Sequence, residues 1–364
     1  MCDILNVKTS QNDSTDLRQM STQDYNKLLK SRLSLGRPKH SAPLVFDMFA
    51  GCGGLALGFE AAGFKTVGFE WDEDACATYR MNMHGKCNRI FLRPKQDLGQ
   101  VPDVIIGGPP CQPFSVGGLQ NGHEDDRDGF PAFLSAVERY QPRLAVFENV
   151  RGMMYRNRSY FGKILGRLKE LGYLTESRLV NALRYGVPQN RERLLAVAHR
   201  GGWQFSKLPM STKPFTAGDA LGELAHEIPQ NARFLTPSMD EYVARYEAKS
   251  KCVRPRDLHL SRPSRTVTCR NLHGATSDML RIRLRDGRRR MLTVREAARL
   301  QSFPDWFKFA GTEDSQFDQI GNAVPPLLAR AIGDAVMACF SAKPLSSKDI
   351  EYRNELNTQY QLGI

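Results

Sequence analysis

Between Leu44 and His199 five short apolar runs recur: LVFDMFA (44–50), KTVGFEW (65–71), DVIIGG (103–108), LAVFENV (144–150) and RLLAVAH (193–199). No other feature limits the fold as tightly. The runs are close to continuous rather than alternating, the pattern of strands buried on both faces. Between several of them lie helical patterns, GLALGFEAAG (54–63), DACATYRMNMHG (74–85) and YFGKILGRLKELG (160–172). This alternation predicts an α/β chain with a doubly wound, mostly parallel sheet and helices on both faces. Such sheets bind ligands beyond the carboxyl ends of their strands, so the residues that end these runs are the first candidates for a site.

Outside that rhythm the chain changes character. Residues 1–42 are polar, apart from STQDYNKLLKSRL (21–33), a short helix that Ser21 can cap and Leu28, Leu29 and Leu33 make apolar on one side. It reads as an appendage that docks on the body. After Arg200 the βα repeat stops, and residues 201–261 are richer in Pro, Ser and Thr. A helical stretch, TVREAARLQSF (293–303), and then GNAVPPLLARAIGDAVMACF (321–340) follow. At 364 residues there is room for a second, smaller domain.

Charge and cysteine usage narrow the partners. There are 51 Lys+Arg against 39 Asp+Glu, a formal +12, which favours a polyanion, nucleic acid first and an anionic membrane second. RIRLRDGRRR (281–290) holds six arginines and one aspartate. It is either a solvated hairpin turning at Asp286-Gly287 or a phosphate-contacting edge. The eight cysteines form no CxxC pair, so neither a disulfide framework nor a zinc site is expected. With no apolar leader and no stretch able to cross a bilayer, a cytoplasmic protein is expected.

Four features could carry chemistry. FDMFAGCGGLALGFE (46–60) is a strand entering Gly51, Gly53 and Gly54 and then a helix, where a ligand can approach the backbone and free N–H groups. Glu70, nineteen residues after Gly51, ends the next run and can accept two ribose hydroxyls, while Trp71 can cover an adenine face. The spacing does not fit GxGxxG, which disfavours a dinucleotide. In DVIIGGPPCQPFS the strand delivers Cys111 to its carboxyl end, with Pro109, Pro110 and Pro113 fixing the backbone around it. A lone cysteine is more often inert packing, unless positive charge or N–H groups lower its pKa. Glu148 ends a further strand, either as a helix cap or as a carboxylate sharing the edge with Cys111. In PQNRERLL (188–195) Arg191 and Arg193 stand two apart, so one face of a strand carries both, for an anion or for the carboxylate.

Taken together, the blocks DMFAGCGG, GGPPCQPFS, FENV, PQNRERL, RPSRTVT and GNAVPP stand in the order found in the DNA cytosine-5 methyltransferases. The chain resembles that family from about Val45 to Phe340. The resemblance implies a Rossmann-like fold dependent on S-adenosylmethionine (SAM), with S-adenosylhomocysteine as product and no metal. It implies a catalytic SAM-binding domain (43–200), a small target-recognition domain (201–290, its variable part about 201–261), a segment returning to the catalytic domain (291–342) and a polar tail (343–364). Cys111 would attack C6 of cytosine, making C5 nucleophilic toward the methyl group. Glu148 would contact N3 and the exocyclic amine, carrying a proton when it donates to N3. Arg193, and with it Arg191, would hold the base and the carboxylate.

For the cofactor, the resemblance carries over Asp47, Phe49, Gly51, Cys52 and Gly53 in the loop and Glu70 and Trp71 at the next strand. It adds Asp97 and Leu98 in QDL, Pro110, and Asn322 and Val324 in GNAVPP. The target carbon is inaccessible in a duplex, so the base must be flipped out. The polar, Gly-rich SVGGLQNGHEDDRDG (115–129) would be the lid, with Ser115, Gln120 and Arg127 on DNA. Many family members carry DxRG where this chain reads DDRDG, which leaves Phe130 as a cofactor contact open. Arg265 and Arg288 are further DNA candidates, and the 281–290 arginines are expected on the DNA backbone. The short insert at 201–261 implies a compact reading domain and a short recognition sequence. The implied partner is double-stranded DNA. A cognate restriction endonuclease would act on the same site without direct binding, the chain would be a nucleoid-associated monomer, and no membrane is involved. Three rivals are weaker. The Cys-Phe-Thr signature of tRNA-directed relatives is absent, a non-catalytic regulator would not need both Cys111 and Glu148, and a nicotinamide oxidoreductase needs other glycines.

Overall fold

The computed structural model describes residues 22–110, 128–205, 208–211, 213–249, 257–274, 278–341 and 345–350. Its main sheet has seven strands: β1 Leu44–Met48, β2 Lys65–Glu70, β3 Lys86–Arg89, β4 Val104–Gly107, β5 Leu144–Val150, β6 Leu174–Asn181 and β8 Glu192–His199. Between β6 and β8, the two-residue β7 (Gln189–Asn190) pairs instead with β9 (Ser264–Arg265). The order β3-β2-β1-β4-β5-β8-β6 reverses direction between β1 and β4, which makes the carboxyl ends of those two strands the switch point of the sheet. All five apolar runs are strands of this sheet, as the α/β reading requires.

Two points differ from a reading by hydrophobic runs. Two edge strands carry no such run: β3 is KCNR and β6 is LTESRLVN. An edge strand is covered incompletely, so polar residues suit it and pairing alone defines it. In addition, β8 runs antiparallel to both of its neighbours, β5 and β6. Only residues 182–191 separate β6 from β8. A parallel return needs a crossover of a dozen or more residues, so this connection imposes the antiparallel direction.

Helices of the first half include α1 Thr22–Leu33, α2 Gly54–Ala61, α3 Glu73–Asn82, α4 Phe130–Tyr140, α5 Gly152–Tyr155 and α6 Arg158–Glu170. Later ones include α7 Ala217–Leu221, α8 Pro237–Lys249, α9 Cys269–Leu272, α10 Val294–Leu300, α11 Glu313–Asn322 and α12 Pro326–Phe340. Successive strand residues split between the two faces. Val45, Ile106, Val146 and Leu195 join a core with α1, α2 and α12, while Phe46, Ile105, Phe147 and Ala196 pack with α4 and α6. Among the described residues no single helix is long and apolar enough to cross a membrane.

Glycines explain how the late chain reaches the first half. A Cβ on Gly58 of α2 would lie 2.3 Å from the Arg330 nitrogen of α12, and one on Gly54 would lie 2.4 Å from the Val324 oxygen. These two positions, one turn apart, let the backbone of the C-terminal segment settle directly on α2. The N-terminal helix is equally integral. Tyr25, Leu29 and Leu33 are buried, spaced four apart along one face, and Leu28 is half-buried. Arg32 pairs with Asp334 at 2.9 Å, and Arg330 donates to the Arg32 carbonyl.

Past β8 a small separate cluster gathers Leu235, Val243 and Met279. Beside it β10 (Arg281–Arg283) and β11 (Arg289–Met291) form an antiparallel hairpin turning through Gly287, whose φ is +87°. The hairpin corrects the expectation of a row of arginines on the DNA backbone. Arg281 and Arg290 are completely buried: Arg281 pairs with Asp257 (2.5 Å) and Glu247 (2.9 Å), and Arg290 grips Glu296 through two bonds of 2.7 and 2.9 Å. Arg289 is shared by Asp240 and Asp257. Arg281 and Arg283 share one face of β10 and both reach Asp257, but only Arg281 is buried there, where a guanidinium is stable only with carboxylates around it. Arg283, Arg285 and Arg288 are the exposed ones.

Candidate active site

Four chain segments meet at the carboxyl edge of the sheet. Leaving β1, Phe49 takes a left-handed conformation (φ +59°), followed by Gly51 (+53°) and Gly53 (+92°) before α2 begins. Among the described residues nothing lies within 4 Å of where a Gly51 Cβ would sit, so the backbone there is open to close approach. Glu70, at the end of β2, spans the loop: its Oε2 accepts the Gly51 N–H at 2.8 Å, and its Oε1 accepts those of Trp71 and Asp72 at 2.8 and 2.9 Å. A carboxylate has about four lone-pair sites, so capacity for a further donor remains. Trp71 is 64% exposed, its indole free on this rim.

Asp47 lies beneath the loop, completely buried, with neither carboxylate oxygen in a well-formed hydrogen bond to a described residue. Burial pushes its carboxyl well above the ordinary range; the Ala56 N–H works against that and the charge of Glu70 adds to it. Cys52 is an interior thiol raised by burial to about 12, and its Sγ reaches the Gln319 carbonyl at 3.6 Å. It therefore anchors the loop to α11.

From β4 the chain continues through Gly108 and Pro109 to Pro110. The Pro110 carbonyl accepts the Gly129 N–H at 3.0 Å, and a Cβ on Gly129 would fall 2.5 Å from Pro110 and 2.8 Å from the Phe49 ring. Pro110 and Gly129 are thus bonded to each other, and Gly129 packs closely on Phe49 of the glycine loop. Cys111, Ser115, Gln120 and Arg127 lie outside the described residues. Phe130 is completely buried among Phe147 and Tyr160, at ring distances of 5.2 and 6.0 Å.

Glu148 and Arg193 form an ion pair, Nε to Oε1 2.9 Å, with side chains 11% and 12% exposed. Next to Glu148, Asn149 donates to the Pro109 carbonyl at 2.9 Å. Reasoning from charge singled out the glutamate and passed over this amide, which ties β5 to the proline segment. Arg191 is placed differently from Arg193. It is buried and donates to the carbonyls of Val267 (2.7 Å) and Ala323 (3.0 Å), and burial, reinforced by Arg193, draws its guanidinium down to about 9. It remains a cation at neutral pH and clamps backbone.

The C-terminal segment completes the edge, since Asn322 and Val324 flank the Ala323 carbonyl that Arg191 holds and Val324 lies on Gly54. Asn322 Oδ1 accepts from Cys269 Sγ at 3.1 Å. Asp97 and Leu98 are not brought to the others. Asp97 is held by Arg139 (2.6 Å) and Tyr140 (3.0 Å), and the Leu98 N–H donates to the same tyrosine hydroxyl. These residues form the last turn of α4, which starts at the carboxyl edge and runs back to the opposite one. Arg265 pairs with Asp278 at 2.7 Å, and Arg288 with Asp286 while lying 4.5 Å above the Phe234 ring.

A doubly wound sheet with an open glycine turn, an acid one strand over and a largely enclosed Glu–Arg pair at one edge is the frame of a Rossmann-like methyltransferase. The family model for C-5 cytosine-specific DNA methylases matches residues 44–338. The chain is 56% identical to the Type II methyltransferase M.AplI of Arthrospira platensis, over 93% of this chain and 97% of that one. It is 31% identical to the Type II methyltransferase M.XorII of Xanthomonas oryzae pv. oryzae, over 83% and 86%. The solved structure of the S. pombe Dnmt2 methyltransferase shares the fold, with a TM-score of 0.61 at 18% identity over 81% and 97%. The chain belongs to the C-5 cytosine-specific DNA methylase family. It is a DNA cytosine-5 methyltransferase, and S-adenosylmethionine is its methyl donor. The residues present fit that donor: backbone open to close approach at Gly51, a carboxylate with spare acceptor capacity at Glu70 and an exposed indole at Trp71.

Proposed function

We propose that this chain methylates C5 of a cytosine flipped out of a short specific sequence in duplex DNA, through a covalent bond between Cys111 and C6. S-adenosylmethionine supplies the methyl group. Attack of the Cys111 thiolate on C6 interrupts the ring's conjugation and moves electron density toward N3 and C5. Glu148 donates a proton at N3, Arg193 holds the carboxyl group and the base in register, and C5 takes the methyl as S-adenosylhomocysteine is released. Loss of the C5 proton to water, expulsion of the thiolate from C6 and return of the N3 proton to Glu148 then restore the ring and the enzyme. Gly51, Gly53, Glu70 and Trp71 hold the donor, with Phe49, Pro110, Asn322 and Val324 around it. Arg191 contributes by keeping the backbone of this edge in place.

The observation that carries the reading is the Arg193–Glu148 pair at the same edge as the proline segment that leads into Cys111. Ser115, Gln120 and Arg127, in the lid sequence, are the contacts proposed at the flipped site, with Arg265 and Arg288 farther out. The curated relatives are named Type II methyltransferases. On that likeness we propose that the modification protects host DNA from a restriction endonuclease that acts on the same sequence. The test is base-resolution methylation mapping in a methylation-free bacterial host expressing the chain or its Cys111→Ala variant. 5-Methylcytosine at one short motif, lost in the variant, is the expected result. Soluble protein that binds S-adenosylmethionine yet leaves DNA unmethylated would overturn the substrate.

A further inference from the structure

Gln301, which follows α10, is completely buried, and its amide is fully used. Nε2 donates to the carbonyls of Ile320 and Ala323, each at 2.8 Å, and Oε1 accepts from Nε2 of Gln189. Gln189 is completely buried too; its Nε2 also donates to the Leu300 carbonyl (2.9 Å), and its Oε1 accepts the Val267 N–H at 3.0 Å. Arg191 takes the Val267 carbonyl and shares the Ala323 carbonyl with Gln301. Three side chains thus hold the last turns of α11 and residue 323 against β7 and the strand entry that carries Arg193.

Two buried amides among carbonyls are costly unless fully paired, and here each pairs with backbone of another segment. The residues they fix, 320 to 323, lead directly into Val324, whose carbonyl rests on Gly54 at the start of α2. We infer that Gln301 is a positioning residue for S-adenosylmethionine binding: it sets the height of the Asn322–Val324 turn over the glycine loop and couples that turn to β7. This rests on the reading of the cofactor edge given above.

The test uses the full chain as wild type and as Gln301→Met, which is close in shape and cannot donate. S-adenosylmethionine affinity is measured by calorimetry, with KM and kcat on a DNA bearing the mapped sequence and the thermal midpoint alongside. The expected result is affinity weakened by about tenfold or more, with KM for the donor rising in parallel. At saturating donor, kcat stays within about threefold of wild type and KM for DNA does not move. Unchanged affinity with a lowered thermal midpoint would make Gln301 a purely structural residue, and a fall in kcat at unchanged affinity would equally overturn the inference. If Gln301→Met does not fold, Gln189→Met decides. It leaves the bonds to Ile320 and Ala323 intact but unseats their amide, and unchanged donor affinity there overturns the coupling. A wild type that binds no S-adenosylmethionine would instead refute the reading of the edge itself.

Discussion

Arg193 meets Glu148 because β8 runs against β5. In the observed register Glu148 faces Leu195 and Val150 faces Arg193, which puts the two side chains diagonally on one face at the carboxyl edge. Had β8 been parallel, its first residues would lie at the opposite edge, more than about 20 Å away for a strand of this length. The antiparallel return is therefore what creates the pair.

Replacing Glu148 by Gln keeps size and removes the proton. A fall in methyl transfer of about 10²–10⁴-fold is expected, with S-adenosylmethionine affinity unchanged in calorimetry. Arg193→Ala should lose activity and also about 1–3 kcal/mol of stability, because it leaves a largely enclosed carboxylate without its guanidinium. The double variant Arg193→Ala/Glu148→Gln should recover part of that stability in urea unfolding.

The glycines of α2 make a second test. Gly58→Ala puts a methyl group 2.3 Å from backbone of α12, which is expected to cost about 1–3 kcal/mol or more. Gly166→Ala, in α6 with nothing within 4 Å, should instead stabilise by about 0.5–1 kcal/mol. Thermal unfolding of the two variants against wild type gives opposite signs if the packing is as described.

Hairpin arginines should separate by burial. Arg290→Gln leaves the buried Glu296 without its guanidinium and should destabilise by about 3–5 kcal/mol, whereas Arg281→Gln, after which Asp257 keeps Arg283 and Arg289, should cost less. Arg288→Gln should leave the unfolding midpoint unchanged and lower the slope of log binding constant against log salt by about 0.9 if its guanidinium meets one DNA phosphate. Denaturation paired with salt titration of DNA binding checks both.

Asp257 supplies a pH dependence. Burial by itself would raise its carboxyl, but the hydrogen bond and charge of Arg281, with Arg283 and Arg289, outweigh it and hold it below the usual carboxylate range. Its folded value lies under its unfolded one, so its stabilisation is present at neutral pH and is lost as pH falls through the lowered value. The stability gap between wild type and Asp257→Asn should be widest near pH 7 and close below about pH 4. Urea unfolding between pH 3 and 7 measures it.

Much of the site was legible residue by residue. Gly51, Glu70, Pro110 and Glu148 each end or follow an apolar run, and the carboxyl ends of doubly wound strands lie at one edge. What hydrophobic pattern could not report was pairing between distant segments. KCNR and LTESRLVN are strands only because neighbours bond to them, and the direction of β8 follows from a short connection rather than from composition. Asp97 shows the opposite failure: an acid in a plausible block whose partners, Arg139 and Tyr140, place it elsewhere.

By itself the sequence determined the α/β layering, the glycine turn and the identity of the groups at the strand ends, because these depend on local periodicity and backbone chemistry. The tertiary structure alone decided that Arg193 meets Glu148, that Arg191 and Gln301 hold residue 323, and that Arg281 and Arg290 turn inward. Each of those depends on a partner whose place is set by packing and hydrogen bonds across the fold, as when Arg191 reaches the Val267 carbonyl 76 residues on and the Ala323 carbonyl 132 on. A buried charge or amide is stable only where such a partner arrives, and no local pattern encodes that arrival.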